Sequence, residues 1–165
     1  MNKNQLRIKY KKLRAELEES YRADATSRVI ENAKTWLSAQ PRGFVSSIIK
    51  IGSEIDLAPL NDWVAKMSKH QLLLPQVLDG SMFFAKLQSD DMEEIVPTYC
   101  IVPCICYDRS KHRIGYGKGY YDKYLAKHSG VYSVIVNFAA LESEKIADER
   151  WDVPVNLIIN ENGIF

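Results

Sequence analysis

The chain has 165 residues, the size of one domain and enough to bury a core without disulfide or metal staples. Apolar residues make up 46% and charged residues 26%, the balance of a soluble globular protein, and a net charge of +1 argues against a dedicated nucleic-acid binder. No stretch has the length and apolarity to span a membrane. Met1 to Arg14 is polar and basic with no apolar targeting core, so the reading is a cytoplasmic protein without a signal peptide. The three cysteines, Cys100, Cys104 and Cys106, share one apolar run; they lack a zinc spacing and read as small buried strand residues in a reducing compartment.

No repeat or linker divides the chain, which reads as a single domain, 1–165. Leu6, Tyr10, Leu13 and Leu17 recur at helical spacing, with Lys3, Arg7 and Arg14 along one border of the stripe. A second helix is predicted from near Asp24 to Ala39, with Val29, Ala33, Trp36 and Leu37 inward and Pro41 ending it. The run Phe44 to Ile51 then reads as a buried strand between Gly43 and Gly52. Leu57 to Ser68 reads as a helix with Leu60, Val64 and Met67 inside. Gln71 to Leu74 is a strand stopped by Pro75, and Ser81 to Leu87 a strand near a sheet edge. Tyr99 to Tyr107 reads as one strongly apolar strand despite Pro103. A loop, Asp108 to Gly119, leads to a helix from Tyr120 to about His128. Val131 to Val136 and Val155 to Ile159 are two more buried strands. Strands alternating with helices mean an α/β fold with a largely parallel sheet, covered on both faces. Ligands in such folds sit beyond the carboxyl ends of the strands, where the Asp108–Gly119 loop falls.

That loop holds the most unusual residues: Arg113-Ile114-Gly115-Tyr116-Gly117-Lys118-Gly119-Tyr120-Tyr121-Asp122. Three alternating glycines let backbone N–H groups approach a ligand. The helix that follows turns its free N–H groups and positive dipole end toward an anion. Arg113 and Lys118 add charge, and Asp122 in the first helical turn is placed to hold a Mg²⁺ already bound to phosphates. Neither standard phosphate motif fits. A Walker A loop needs Ser or Thr where Gly119 stands, and the dinucleotide fingerprint needs its third glycine where Tyr120 stands. On local physics alone, a mobile glycine-rich turn competes with an anion site.

The run Gly-x-Gly-(Gly/Lys)-Gly-Tyr-Tyr-Asp, with Arg113 two places upstream, resembles the signature of the 5-formyltetrahydrofolate cyclo-ligases, or methenyltetrahydrofolate synthetases. Other marks of that family occur in order: the Lys3/Arg7 pair on the first helix, Glu54-Ile55-Asp56, Leu74-Pro75, and Trp151-Asp152-Val153-Pro154. Two positions depart from the pattern. Tyr116 stands where many members carry a second arginine, and Asn156 where a carboxylate is common.

The resemblance implies a single three-layer αβα domain and an ATP-dependent ligase that uses Mg²⁺ and acts on the small molecule 5-formyltetrahydrofolate. It implies nucleotide binding by Lys3, Arg7, Arg113, Ile114, Gly115, Tyr116, Gly117, Lys118, Gly119, Tyr120 and Tyr121. Lys118 and Arg113 would be catalytic through their charge. The folate would meet Ile49, Glu54, Tyr116, Gly117, Lys118, Gly119 and Tyr120, with Tyr120 rather than Tyr121 facing it. Mg²⁺ would be held by Asp122 and Asp152; Asn156 either lies beside them contributing no charge or only hydrogen-bonds backbone at the start of the last strand. The expected protein is a monomer with no nucleic-acid or membrane partner. The three histidines, His70, His112 and His128, form no cluster with a nucleophile. Two rivals remain: a nucleic-acid-binding module using the basic first helix and the glycine loop, and a sugar-phosphate-binding enzyme.

Overall fold

A computed structural model describes residues 1–86, 93–147 and 149–165. Helix α1 spans Lys3–Glu16. Asn2 caps it, accepting from the Gln5 N–H, while the Gln5 side chain reaches back to the Asn2 N–H. This reciprocal cap fixes the helix start, so Lys3 opens the first turn. Inside the helix the stripe differs from its sequence reading. Leu6 and Tyr10 are buried, but Leu13 lies at the surface and Arg14, 4% exposed, takes the inner position. The guanidinium of Arg14 is satisfied there by Ser53 Oγ at 3.1 Å and Tyr116 Oη at 3.0 Å, which is what permits its burial.

Helix α2, Glu19–Ala39, begins five residues before Asp24 and has no side-chain cap. Ala25, Val29, Ala33 and Leu37 face the core, and Trp36 stacks on Tyr132 at 5.8 Å between ring centroids. Strand β1 is only Phe44–Ser46. The predicted strand stops early: past Ser46 the chain peels off the sheet, leaving Ile48 buried but Ile49 and Ile51 exposed. Helix α3, Ala58–Lys66, buries Leu60 and Val64, but Met67 follows the last turn and is 79% exposed.

Strands β2 (Gln71–Leu78) and β3 (Ser81–Ala85) form an antiparallel hairpin, so Pro75 does not end β2. The reason is local: β1 pairs only with Gln71 to Leu73, so from Leu74 onward β2 has a neighbour on one side alone, where a missing N–H is tolerated. Leu87, included in the predicted edge strand, lies outside the described residues.

Pro103 has the opposite effect. The predicted Tyr99–Tyr107 strand is two strands, β4 (Tyr99–Ile101) and β5 (Cys106–Tyr107). The last ladder bond here runs from the Val102 N–H to Val134 O, and Pro103 has no donor to continue it. The chain turns out of the sheet, and β5 pairs antiparallel with β6 (Arg113–Ile114), a strand inside the segment read as loop. Helix α4 (Tyr120–Lys127), β7 (Tyr132–Val136), β8 (Leu157–Asn160) and a terminal β9 (Gly163–Ile164) complete the chain.

The main sheet has seven strands in the order β3-β2-β1-β4-β7-β8-β9. The inner pairs from β2 to β8 are parallel, and the two edge strands are antiparallel. Consecutive buried residues, such as Tyr99-Cys100-Ile101 and Ser133 through Val136, mean both faces are covered, since neighbouring side chains point to opposite faces. Helix α2 packs on β8 and against α3, α3 on β2, and α4 on β3, where Tyr124 meets Phe84 edge-on at 4.9 Å. This is the three-layer α/β fold read from the sequence. All three cysteines are buried and free. Burial pushes Cys100 and Cys106 up to about 12 and Cys104 to about 11, so none is a ready nucleophile at neutral pH. Among the described residues no helix is long and apolar enough to cross a membrane.

Candidate active site

The turn after Pro103, the β5–β6 hairpin and the start of α4 enclose a cavity of about 310 Å³, closed on another side by the N-terminal turns of α1. Every glycine-loop residue from Arg113 to Asp122 lines it, together with Lys3, Arg7 and Asp152. Residues more than a hundred positions apart in the sequence thus line one cavity.

The glycines are needed where they stand. Gly117 (φ +96°) and Gly119 (φ +67°) occupy the left-handed region that side chains with a Cβ avoid. Gly119 is also the residue from which α4 begins. Arg7 lies against this loop, donating from Nε to the Gly115 carbonyl at 3.0 Å, and its guanidinium comes within 3.8 Å of where a Gly117 Cβ would be.

Two of the four predicted cations are tied to carboxylates. Lys3 Nζ lies 2.8 and 2.7 Å from the two oxygens of Asp152 and 3.0 Å from Glu149. Burial acts to lower the Lys3 pKa, but the two carboxylates outweigh it and hold the ammonium above its usual value, so it stays charged. Arg113, almost fully buried, donates to Asp122 Oδ1 at 2.8 Å and to the Val153 carbonyl at 2.5 Å. Lys118 differs from both: it has no ion pair among the described residues, and its ammonium lies 5.8 Å from the centre of the Tyr120 ring. It is the loop cation left free to meet an incoming anion.

Tyr121 packs toward the core, its ring 6.2 Å from Phe84, and its phenol is pushed well above its usual pKa by burial. Tyr120 carries the Lys118 contact, and both tyrosines line the cavity.

Glu54 lies outside the large cavity. It is buried, its Oε2 accepting from the Ile51 N–H at 2.9 Å and its Oε1 from the Tyr116 hydroxyl. Ile49 does not join it. At 63% exposure Ile49 points to solvent, and Ile48 is the residue that borders Glu54. The shift follows from the early end of β1, which reverses the alternation assumed for a strand running to Ile51.

Among the described residues no three acidic, histidine or cysteine side chains converge to cage a metal. Asp122, Asp152 and Glu149 nevertheless all face the cavity, and one or two carboxylates completed by phosphate oxygens is the usual manner of Mg²⁺ binding. The donor set therefore fits a metal shared with a nucleotide. Asn156 takes no part in it. Its Oδ1 accepts from the Ser133 N–H at 2.8 Å and from Ser133 Oγ at 3.0 Å, which agrees with the second of its two readings, a backbone bond at the strand start, and not with a place beside the metal. Asn156→Asp keeps that acceptor, so the Mg²⁺ dependence of any activity is expected to be unchanged. Asn156→Ala leaves the buried Ser133 N–H unpaired and is expected to cost about 1–3 kcal/mol in denaturant unfolding.

Four contributors were not singled out as site residues from the sequence: Arg14, Pro103, Glu149 and Trp151. Trp151 stands 68% exposed on the cavity rim, and its place in the Trp151-Asp152-Val153-Pro154 motif is the one sequence signal among them.

Residues 91–161 match the family model described as the 5-formyltetrahydrofolate cyclo-ligase family. A 5-formyltetrahydrofolate cyclo-ligase of Mycoplasma genitalium is 26% identical over 96% of this chain and 98% of its own length. The enzyme of the same name from Mycoplasma pneumoniae is 23% identical over 98% and 99%. Among solved structures, a 5,10-methenyltetrahydrofolate synthetase from Mycoplasma pneumoniae superposes with a TM-score of 0.85 at 21% identity, covering 98% of this chain and 99% of that one. The 5,10-methenyltetrahydrofolate synthetase of Aquifex aeolicus gives 0.81 at 26% identity, with coverage of 99% and 92%. The family resemblance read from the motifs is borne out.

Proposed function

We propose that this chain is an ATP-dependent 5-formyltetrahydrofolate cyclo-ligase, converting 5-formyltetrahydrofolate to 5,10-methenyltetrahydrofolate with release of ADP and phosphate. The observation that carries the reading is the meeting of Lys3 and Arg7 of α1 with the Arg113–Asp122 loop around one cavity. The relatives named above supply the substrate class.

The chemistry explains why these residue types suffice. A formyl oxygen on nitrogen is a poor leaving group. It becomes a good one when it attacks the γ-phosphorus of ATP, ADP departing as the new oxygen–phosphorus bond forms. The folate N10 then attacks the activated carbon, closes the ring and loses its proton, and phosphate leaves with the former formyl oxygen. No protein nucleophile is needed, in keeping with the buried, protonated cysteines. Phosphoryl transfer calls on the protein for position and charge. Lys118 is free to follow charge onto the transferring group. Arg7 and the backbone N–H groups of the glycine loop hold phosphate oxygens. Arg113 fixes Asp122 and with it the mouth of α4. Mg²⁺ would be held by Asp122 and Asp152 together with the nucleotide, and would supply neutralisation of phosphate charge. The protein acts in this reading as a monomer in the cytoplasm.

The nucleic-acid rival fares poorly on local grounds. Lys3 and Arg113 are engaged by carboxylates inside a recess, not spread as an open basic face. A substrate carrying heavy oxygen in its formyl group tests the route. The released phosphate should carry the label; label left in water or in folate would refute phosphorylation of that oxygen.

A further inference from the structure

Glu54 has no room for a substrate as it stands. The space beside it is about 10 Å³, enough for a single water at most. Arg14, Ile48 and Pro103 are among its walls, and Pro103 also lines the large cavity on the other side. Tyr116 lines the large cavity and reaches across to the carboxylate of the small one. Its hydroxyl donates to Glu54 Oε1 and accepts from Arg14 Nη1 at 3.0 Å. Arg14 is itself anchored to Ser53 Oγ at 3.1 Å, and its guanidinium carbon lies 5.9 Å from the centre of the Tyr116 ring. One loop side chain is thus held down by both a buried anion and a buried cation.

Tyr116 is nevertheless built to leave. It stands between Gly115 and Gly117, the second at φ +96°. A Cβ at Gly115 would touch nothing within 4 Å, and the one bond recorded at its backbone, from Arg7 Nε to the carbonyl, is to a side chain that can move with the loop. The ring remains 41% exposed and belongs to no core cluster, so moving it opens no hole in the packing.

We infer that Tyr116 is a plug on the Glu54 carboxylate that substrate displaces. The inference rests on the folate reading of this site. A bicyclic heterocycle with an amino group beside a ring N–H offers a carboxylate two parallel donors. It replaces the single donor of Tyr116, and charge-assisted pairs of this kind are the strong ones. Once the ring swings out, the small and large spaces join across Pro103, and the acyl oxygen of the substrate can reach the phosphates. Until then only the unplugged fraction of molecules binds, and the apparent Kd is raised by that fraction.

The test is Tyr116→Phe, which keeps the ring and removes the latch. Nucleotide-free protein is mixed with 5-formyltetrahydrofolate and followed by stopped-flow tryptophan fluorescence, with titration calorimetry for affinity and circular dichroism melting to verify folding. The variant is expected to bind about tenfold more tightly, the scale of one lost hydrogen bond to a charged group. The gain should appear in the association rate, with dissociation little changed. Glu54→Gln should weaken binding in the same assay. Unchanged or weaker binding by a folded Tyr116→Phe protein overturns the plug. If neither wild type nor variant binds the folate, the proposed function itself fails and the plug falls with it. Binding by the variant alone would be the strongest support.

Discussion

Lys118→Ala is expected to lower kcat/KM for the ATP-dependent reaction by roughly 10²–10³-fold, the usual effect of deleting one preorganised charge aimed at a transition state. Lys3 and Arg113 already spend their charge on Asp152 and Asp122, whereas Lys118 has no such partner among the described residues. Its ammonium sits above the Tyr120 ring on the cavity wall. Because the side chain packs against little else, stability should change by no more than about 0.5 kcal/mol. Loss of rate with an intact melting transition is therefore the signature. A variant with near-normal kcat/KM would remove Lys118 from the chemistry.

Arg113→Met should behave differently, losing stability and activity together. The guanidinium is almost fully buried, and its two bonds reach Asp122 and the Val153 carbonyl, joining the glycine loop to the segment that leads into β8. Methionine fills the volume but leaves the Val153 carbonyl without its donor and the Asp122 Oδ1 with only the longer bond from the Val153 N–H at 3.3 Å. Removing one member of a buried pair costs about 3–5 kcal/mol. Asp122 retains some contact with water, which places the expected loss nearer 2–3 kcal/mol, or a fall in Tm of roughly 5–10 °C. Arg113→Lys should recover only part of it, since one ammonium cannot reproduce a planar two-pronged donor. Denaturant unfolding of the three proteins measures this. Equal stability of wild type and Arg113→Met would show that the pair is not structural.

The parallel sheet and the glycine loop are legible in the sequence for one reason. Both are written as short-range patterns, apolar runs bounded by Gly and Pro in one case and Gly115, Gly117 and Gly119 ahead of a helix in the other. Sequence pattern and structure part where a tertiary partner overrides the pattern. Arg14 took an inner position from Leu13 because Ser53 and Tyr116 wait for its guanidinium. Pro75 was read as a stop and Pro103 as tolerated, yet the reverse holds, since what matters is whether the neighbouring strand still pairs at that residue. Ile49 reads as a pocket residue only if β1 runs to Ile51, five residues beyond its end at Ser46. Asn156 carries a side chain able to ligate a cation, but the Ser133 N–H claims it. The Tyr116–Glu54 contact joins residues 62 positions apart and has no short-range signature at all.

The central claim is that the convergence of α1 with the glycine loop builds an ATP-dependent folate cyclisation site. It is tested most directly by mixing the purified protein with 5-formyltetrahydrofolate, ATP and Mg²⁺ and following the near-ultraviolet absorbance of the methenyl product. The account predicts product in stoichiometric step with ADP, and none when either ATP or Mg²⁺ is left out. Product formed equally well without ATP, or never formed by folded protein, would contradict it.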